Sequence, residues 1–569
     1  MPLFIFIILI LINFSYPKFI FAFSLAEPQI QEKLYQEQLR QTEYDQRLRE
    51  QQENIYDQKP QYFNKDSSKL IRNETPCFII NEIIIDNGYE QNVKMLKKTL
   101  KAADQPDTAL KSCLGIKAIN QVINRIQSAL IEMGYITSRV QLSPYQNVLH
   151  NQLNIIITPG RIYHLQIQSQ KKHNVATWNI VPIRFSNLLN LRYIEQLLEN
   201  LKQLPSVQAK VIIIPSSNNH AKAGDSDILI NWQQSTPWRL TLNLDDNGRQ
   251  AIGRYQADIT LAYDNPLNLN DLFYISLKRD LNYHFSSLKH RSGITGHVLH
   301  YQLPLGYAWL KLTTRSNHWS QAVPTQYNQY RYEGLLRETQ IQLFHLLHRG
   351  QAYKTNIYGS LTWRQTYQLI NQVKLDHSYR NTLMWELGLH HRYYFKETTI
   401  DSCISYHQNH NRQQIPSRIS KAQLTLNFPF SFILNLKRQY GNYYASLQTQ
   451  WANQTLNPED QFTIGGKYSV RGFDGELNLA GEQGWLLRQE LSIKLGQLPL
   501  NLFLGIDHGQ TAGPNTQYQI GKQLTSAALG LRGALNPINW EIFAGVPLKK
   551  PTGFSSSRLT TGFALSAMF

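Results

Sequence analysis

Leu3 to Phe14 is an apolar run interrupted only by Asn13, and Pro17-Lys18 and Ala22-Phe23-Ser24 close it. This pattern predicts a secretory signal peptide over residues 1–24, with Pro17 and Lys18 leaving too short a span for a retained anchor helix. No Lys or Arg precedes the run, so the amino terminus is its only positive charge. From Gln29 to Gln58 the pattern inverts: Gln, Glu and Arg dominate, Gly and Pro are missing, and Ile30, Leu34, Leu48 and Ile55 leave a sparse apolar stripe. Straight-chain helix formers predict a helix there, polar enough to need water around it, with a solvated arm as the alternative.

Past Pro76 the texture becomes mixed. Ile79 to Ile85 is mostly apolar, a lysine-bearing helix follows near Asn92 to Ala103, and Ile116, Ile119, Ile123, Ile126, Leu130 and Met133 recur at spacings of three and four before Gly134. That stripe predicts an amphipathic helix capped by the glycine. Strands at Thr137 to Leu142 and Leu153 to Ile157 complete a β-α-α-β-β unit. A second unit runs from Gly160 to about Trp232: Tyr163, Leu165 and Ile167 alternate, Ile194, Leu197, Leu201 and Leu204 mark a helix ending at Pro205, and Val211 to Ile214 and Ile228 to Ile230 read as strands. Two small β/α units in tandem are a repeat at the level of fold.

From Trp238 to Phe569 strands and turns are nearly all that remains. Leu240, Leu242 and Leu244 alternate, and Tyr255, Ala257, Ile259, Leu261 and Tyr263 do the same with an aromatic at each end, as a lipid-facing strand requires. Asp264-Asn265-Pro266 then turns the chain. The last run alternates through Leu559, Thr561, Phe563, Leu565, Ala567 and Phe569, so the terminal residue faces outward.

Composition agrees with a barrel in a membrane. Only 17% of residues are charged, yet tyrosine and phenylalanine number 31 and 23, which suits interfacial girdles. No later apolar run is long enough for a helical span, so passage through a bilayer must use strands. The net charge of +17 is scattered among tyrosine-rich segments and forms no dense tract, which suits anionic lipid headgroups or a polar pore lining and argues against nucleic acid. Cys77 and Cys113 share one compact segment of an exported chain, where oxidising conditions favour their pairing; Cys403 is left over. No Gly-x-Ser-x-Gly elbow, His-Glu-x-x-His pair, P-loop or dinucleotide fingerprint appears. His390-His391 and His407 with His410 suit wetted histidines better than metal ligands. No catalytic residue, metal or cofactor is expected.

Between two alternating runs lies Gly465-Gly466-Lys467-Tyr468-Ser469-Val470-Arg471-Gly472-Phe473, three glycines with an arginine fork and an aromatic at fixed offsets. Val470, Arg471, Gly472 and Phe473 resemble the inward-folded loop motif of the outer-membrane barrel-assembly superfamily, and the surrounding chain is similar to its two-partner secretion transporters (TpsB-type, the hemolysin and hemagglutinin secretion family). Gly134-Tyr135 resembles a polypeptide-transport-associated (POTRA) domain, and Gly224-Asp225-Ser226-Asp227 resembles the family's Gly-x-Ser-x segment, although Pro215-Ser216 stands where relatives have Pro-Gly. The resemblance implies a mainly β fold. A 16-stranded transmembrane β-barrel (237–569) would be preceded by two α/β POTRA domains (77–159 and 160–236), a plug helix (25–58) and a linker (59–76).

If the loop folds into the lumen, Arg471 needs an acidic partner, because an unpaired charge in a confined site is costly. Strand parity places Leu502, Leu504 and Ile506 on one face and Phe503, Gly505 and Asp507 on the other, the lumen; it also turns Arg488, Glu490 and Lys494 inward. Gly505-x-Asp507-x-Gly509 resembles the family's strand motif whose aspartate pairs with the loop arginine, and Glu490 is a second candidate. Phe569 resembles the C-terminal signal by which outer-membrane barrels are recognised for insertion. The implied function is export of an exoprotein partner bearing an N-terminal secretion domain, captured by strand addition to a POTRA sheet edge. Outer-membrane lipid and, during biogenesis, the barrel-assembly machinery are the other implied partners. A barrel-assembly insertase shares the loop motif but carries more POTRA domains and no plug helix; a barrel-borne lipid hydrolase lacks its serine nucleophile and base.

Overall fold

The computed structural model describes residues 69–569 except 87–92, 147–149, 170–175, 183–187, 251, 282–291, 325–328, 376–377, 412–413, 435–436 and 497–498. The expected signal peptide, the plug helix at 25–58 and linker residues 59–68 lie outside the described residues.

In the first domain the single strand expected over Ile79 to Ile85 is two. β1 (Phe78–Ile80) turns aside, and β2 (Glu82–Asp86) continues beyond Asn81. After α1 (Val93–Ala103), β3 (Ser112–Leu114) pairs antiparallel with β1, and Cys113 lies opposite Ile79. Cys77 and Cys113 are joined there by a disulfide. α2 (Ile116–Glu132) precedes β4 (Arg139–Leu142) and β5 (Gln152–Thr158), which form one sheet with β2, β2 running parallel to β5. The face of α2 that reaches the core is Ala118, Val122, Ile126 and Leu130, whereas Ile116, expected on the stripe, is 72% exposed. Ile116 is the first residue of the helix, and a residue from outside it caps this turn. Glu74 accepts from the backbone N–H groups of Lys117 and Ala118 (3.2 and 2.9 Å), a distant carboxylate holding the first turn by its unpaired donors.

The second domain repeats the arrangement. β6 (Arg161–Ser169) runs parallel to β8 (Asp225–Gln234), and β7 (Val207–Pro215) runs antiparallel to it. α3 (Leu191–Lys202) packs beneath, one helix among the described residues where the first domain has two. Gly134 joins the units. Its φ of 97° suits glycine, and a Cβ there would fall 2.4 Å from Asn190 Oδ1, the atom that accepts from Arg192 N at the start of α3.

The barrel begins with β9 (Trp238–Asp245), β10 (Gln256–Asp264), β11 (Leu272–Asp280), β12 (Gly293–Leu305), β13 (Ala308–Pro324), β14 (Gln329–Arg349), β15 (Tyr353–Ile370) and β16 (Arg380–Phe395). It continues with β17 (Thr398–Asn411), β18 (Gln414–Leu434), β19 (Lys437–Trp451), β20 (Gln483–Lys494), β21 (Leu500–Ala512), β22 (Gln523–Leu535), β23 (Ile538–Lys549) and β24 (Thr560–Met568). Neighbours are antiparallel, and β24 pairs back onto β9 to close 16 strands. Alternation sorts the two faces of the closed wall: Leu240, Leu242, Leu244, Ile259 and Leu261 face outward and stay exposed, as an apolar belt in lipid must, while the opposite parity fills the lumen wall. Phe569, 64% exposed, extends the closing ladder by exchanging both backbone bonds with Leu240 (2.9 and 3.0 Å).

The second domain is docked on one rim of this barrel. Ser206 N donates to Asp264 (3.0 Å), Asn179 Nδ2 to the carbonyls of Leu269 and Pro304 (2.6 and 3.2 Å), and Gln302 Nε2 to Gln203 (2.9 Å). Glu199 of α3 is gripped by Arg349 and Lys354 at the turn between β14 and β15. Burial pushes the Glu199 carboxyl up, but the Lys354 and Arg349 charges outweigh it and hold it below its ordinary value. A depressed carboxylate contributes its docking strength fully above the ordinary value of 4.5 and loses it only as pH falls through the lowered one. Glu199→Gln is therefore expected to weaken the docking by about 3 kcal/mol at neutral pH, because two cations are left without their partner. Spin-label distances between α3 and the barrel rim would broaden in the variant, and in the parent only at acid pH.

Candidate functional site

The connection between β19 and β20 leaves the far rim and folds back into the lumen. Its two limbs pair antiparallel through Phe462–Ile464 and Leu479–Gly481, which makes it a hairpin with a defined tip. Val470 and Phe473 at that tip are fully buried and pack with Ile464, Leu479, Leu486, Leu524 and Phe554, Phe473 meeting Phe554 edge-on at 5.7 Å. Ser469 Oγ accepts from the backbone of Gly465 and Gly466 (2.9 and 3.2 Å), and Gly465 takes φ 133°, so the glycines permit the turn that presents Arg471. Gly472 lies against the wall: a Cβ would fall 2.5 Å from that of Ser526 and 2.6 Å from the Val546 carbonyl oxygen.

Arg471 is where the loop meets the wall chemically. Nε donates to Asp507 Oδ2 (2.8 Å) and Nη2 to Oδ1 (2.7 Å), the side-by-side fork that a planar guanidinium offers a carboxylate. The Arg471 backbone N–H adds a third bond to Oδ2 (2.9 Å), while Nη1 reaches Glu490 Oε2 (2.7 Å) and Nη2 the Gln489 carbonyl (3.2 Å). Asp507 on β21 is fully buried and Arg471 is 4% exposed. Charge balance extends outward: Arg532 pairs with Glu490 (2.8 Å) and Glu541 (3.3 Å) and lies 4.4 Å over the Phe503 ring. Arg488, 3.8 Å from Asp507, donates to the Tyr468 carbonyl at 2.9 Å.

Two acidic candidates, Asp507 and Glu490, are thus held by Arg471 together. The motif glycines have a spatial reason: a Cβ on Gly505 would fall 2.2 Å from Arg471 Nη2, and one on Gly509 2.9 Å from Ile464 Cγ2. The histidines are strung along the wall, His390 3.3 Å from Asp401, His391 2.9 Å from Thr355 and His407 2.8 Å from Ser405. Among the described residues no His, Cys, Asp and Glu gather into a metal-holding group. Cys403 lies 3.4 Å from the Tyr358 hydroxyl.

Other loop contacts were beyond sequence reasoning. Lys467 pairs with Asp246 just past β9 (2.7 Å), Glu476 with Arg249 (3.5 Å), and Glu459 and Asp460 with Arg380 and Arg364 (3.0 and 2.7 Å). No local periodicity marks them, because the partners lie on separate strands brought together only by closure.

A closed barrel with an extramembrane loop folded into its own lumen, served at the opposite rim by two tandem α/β domains, defines an outer-membrane protein transporter. The profile of the family described as "Haemolysin secretion/activation protein ShlB/FhaC/HecB" matches residues 224–533, an ShlB-type POTRA domain matches 91–160, and a further POTRA domain matches 161–215. The chain belongs to this family: it is a two-partner secretion transporter of the outer membrane, with its POTRA domains in the periplasm. It is 28% identical over 523 residues to the outer membrane transporter CdiB-2 of Burkholderia pseudomallei (strain 1026b), covering 88% of each chain. It is 23% identical over 420 residues to the hemolysin transporter protein ShlB of Serratia marcescens, covering 70% of this chain and 71% of that one. The solved structure of CdiB from Acinetobacter baumannii superimposes with a TM-score of 0.82 at 27% identity, over 96% of this chain and 100% of that chain.

Proposed function

We propose that this transporter threads one unfolded exoprotein through its lumen and that the Arg471 seat holds the loop in its working position. The observation that carries this is the fully buried Asp507 carboxylate, which accepts from three donors of one loop residue and so ties the loop to the lumen wall. In this reading the chain divides into POTRA domains at 77–159 and 160–236 and a barrel at 237–569. The exoprotein's N-terminal secretion domain adds a strand to a free POTRA edge. Among the described residues β7 is such an edge, with Ile212 and Ile214 exposed along it. Phe569 serves as the insertion signal for the assembly machinery, the belt meets lipid, and no catalysis is required.

The test is co-expression with a candidate exoprotein, first any large exported β-repeat protein encoded beside this chain. Exoprotein should reach the medium only when both are present, and Ile212→Cys should cross-link to a cysteine in its N-terminal secretion domain. Release without the transporter, or no cross-link at any β7 position, would reject the reading.

Residues 25–58 enter the same reading as a plug. Deleting them is expected to raise ion conductance in planar bilayers severalfold, since a helix about 10 Å wide occludes much of a 16-strand pore. Secretion should change less, because the plug must leave for cargo to pass; unchanged conductance would argue for an arm outside the barrel.

A further inference from the structure

The Arg471 seat is one of several places where the loop is held, and the holds differ in kind. At the seat, the ion pairs stand beside an apolar cluster that buries Val470 and Phe473. On the limb that enters from β19, the 3-10 turn Pro458–Asp460 is held mainly by polar and ionic contacts, with only the small Leu456, Ile419 and Ala452 cluster beside it. Asp460 accepts from Arg364 Nη1 (2.7 Å) and Asn409 Nδ2 (3.1 Å), and Glu459 accepts from Arg380 Nη1 (3.0 Å). These donors belong to β15, β17 and β16, near the extracellular rim. Both carboxylates are 6% exposed.

Behind the contact the charges alternate into the wall. Arg364 Nε donates to Glu338 (3.0 Å), and Glu338 in turn accepts from Arg315 (2.7 Å), so Arg315, Glu338, Arg364 and Asp460 form one row across β13, β14, β15 and the loop. Gln450 at the end of β19 donates to the Asp460 and Glu482 carbonyls (2.8 and 3.3 Å), tying both limbs at their root.

The two holds would not open alike. Lifting the tip exposes Val470 and Phe473 to water and strands Asp507 in the wall, whereas lifting the limb uncovers only the smaller Leu456, Ile419 and Ala452 cluster, leaves Arg364 its Glu338 partner and delivers Glu459 and Asp460 to water that solvates them. We infer that Glu459 and Asp460 form a releasable bolt in the extracellular half of the lumen: the loop pivots on its Val470–Phe473 seat, and the limb swings off the β15–β17 wall to widen the exit for an unfolded chain. Glu459 and Asp460 are positioning residues in this scheme. The inference rests on the reading that cargo passes through the lumen.

The test locks the bolt. In a Cys403→Ser background, Asn409→Cys with Asp460→Cys replaces a side-chain contact by a disulfide. The oxidised transporter should lose secretion, and a reductant should restore it, with heat-modifiable migration showing a folded barrel throughout. Equal secretion by oxidised and reduced forms, or none by either, overturns the bolt. A second measurement does not depend on the disulfide forming. Leu456, buried with Ile419 and Ala452 under the limb, is changed to Cys in the same Cys403→Ser background and labelled from outside the cell with an impermeant maleimide. Adding Glu459→Gln with Asp460→Asn should raise the labelling rate severalfold; an unchanged rate overturns the proposal by itself. Normal secretion by a seat variant would instead remove the underlying reading, so the two failures are distinguishable.

Discussion

Arg471→Ala is expected to abolish or greatly weaken release of exoprotein into the medium while the barrel still inserts and shows heat-modifiable migration. Strand pairing around the barrel does not pass through the loop, so the wall survives; what fails is the seat. Removing the guanidinium takes from the fully buried Asp507 its two shortest side-chain bonds, leaving the Arg471 backbone N–H and Arg488, whose Nε stands 3.8 Å away. Breaking a buried pair by removing one partner costs roughly 3 to 5 kcal/mol, less where Arg488 or water entering the lumen takes up the freed carboxylate. Asp507→Ala should follow closely, since it removes three of the loop's bonds, while Glu490→Ala should be milder because Arg532 and Glu541 partly rebalance that side. The Arg471→Ala and Asp507→Ala double variant should be little worse than either single, as for any two members of one contact. Exchanging the charges, Arg471→Asp with Asp507→Arg, should recover only part of the secretion, because the fork then approaches from the wrong side. If Arg471→Ala secretes normally with a folded barrel, the seat has no role in transport.

Gly505→Leu is expected to reproduce the loss of secretion with Arg471 and Asp507 both intact. A Cβ there would stand 2.2 Å from Nη2 and 2.5 Å from Cζ of Arg471, and the remaining leucine atoms can go only where the guanidinium lies. Ion pair and side chain compete for one slot, and overpacking of this kind typically costs 1 to 3 kcal/mol before the loss of the fork is added, roughly a tenfold to hundredfold fall in seated loop. Gly505→Ser should be intermediate. Trypsin access to Arg471 in the folded barrel would report the unseating directly; a variant that stays protected and secretes would show that the glycine is dispensable.

Much of this molecule is legible along the chain because strand geometry is local. A period of two residues fixes which side chains share a face, and so Phe503, Gly505 and Asp507 could be assigned to the lumen, opposite Leu504 and Ile506, without any knowledge of the neighbours; the latter two are 48% and 47% exposed. The same local rule marks Leu240, Leu242 and Leu244 as the belt, and the glycine spacing marks a turn able to present Arg471. Helical periodicity is a weaker guide at the end of an element: Ile116 lies on the predicted stripe but is the first helical residue and stays exposed, next to the Lys117 and Ala118 N–H groups that Glu74 accepts from.

Which charges meet is set in three dimensions. Arg471 takes both Asp507 and Glu490, Arg364 meets Asp460 across 96 residues, and Lys467 meets the Asp246 carboxylate across 221. Glu199 finds Arg349 and Lys354 only because α3 lies on the barrel rim. Such pairings depend on strand register, tilt and the closure of β24 onto β9, quantities set by the whole ladder of neighbours and by no residue's own preferences. Local alternation carries the strands and their lumen face, and the glycine spacing carries the loop that enters it; closure of the barrel brings up the partners that hold the loop there.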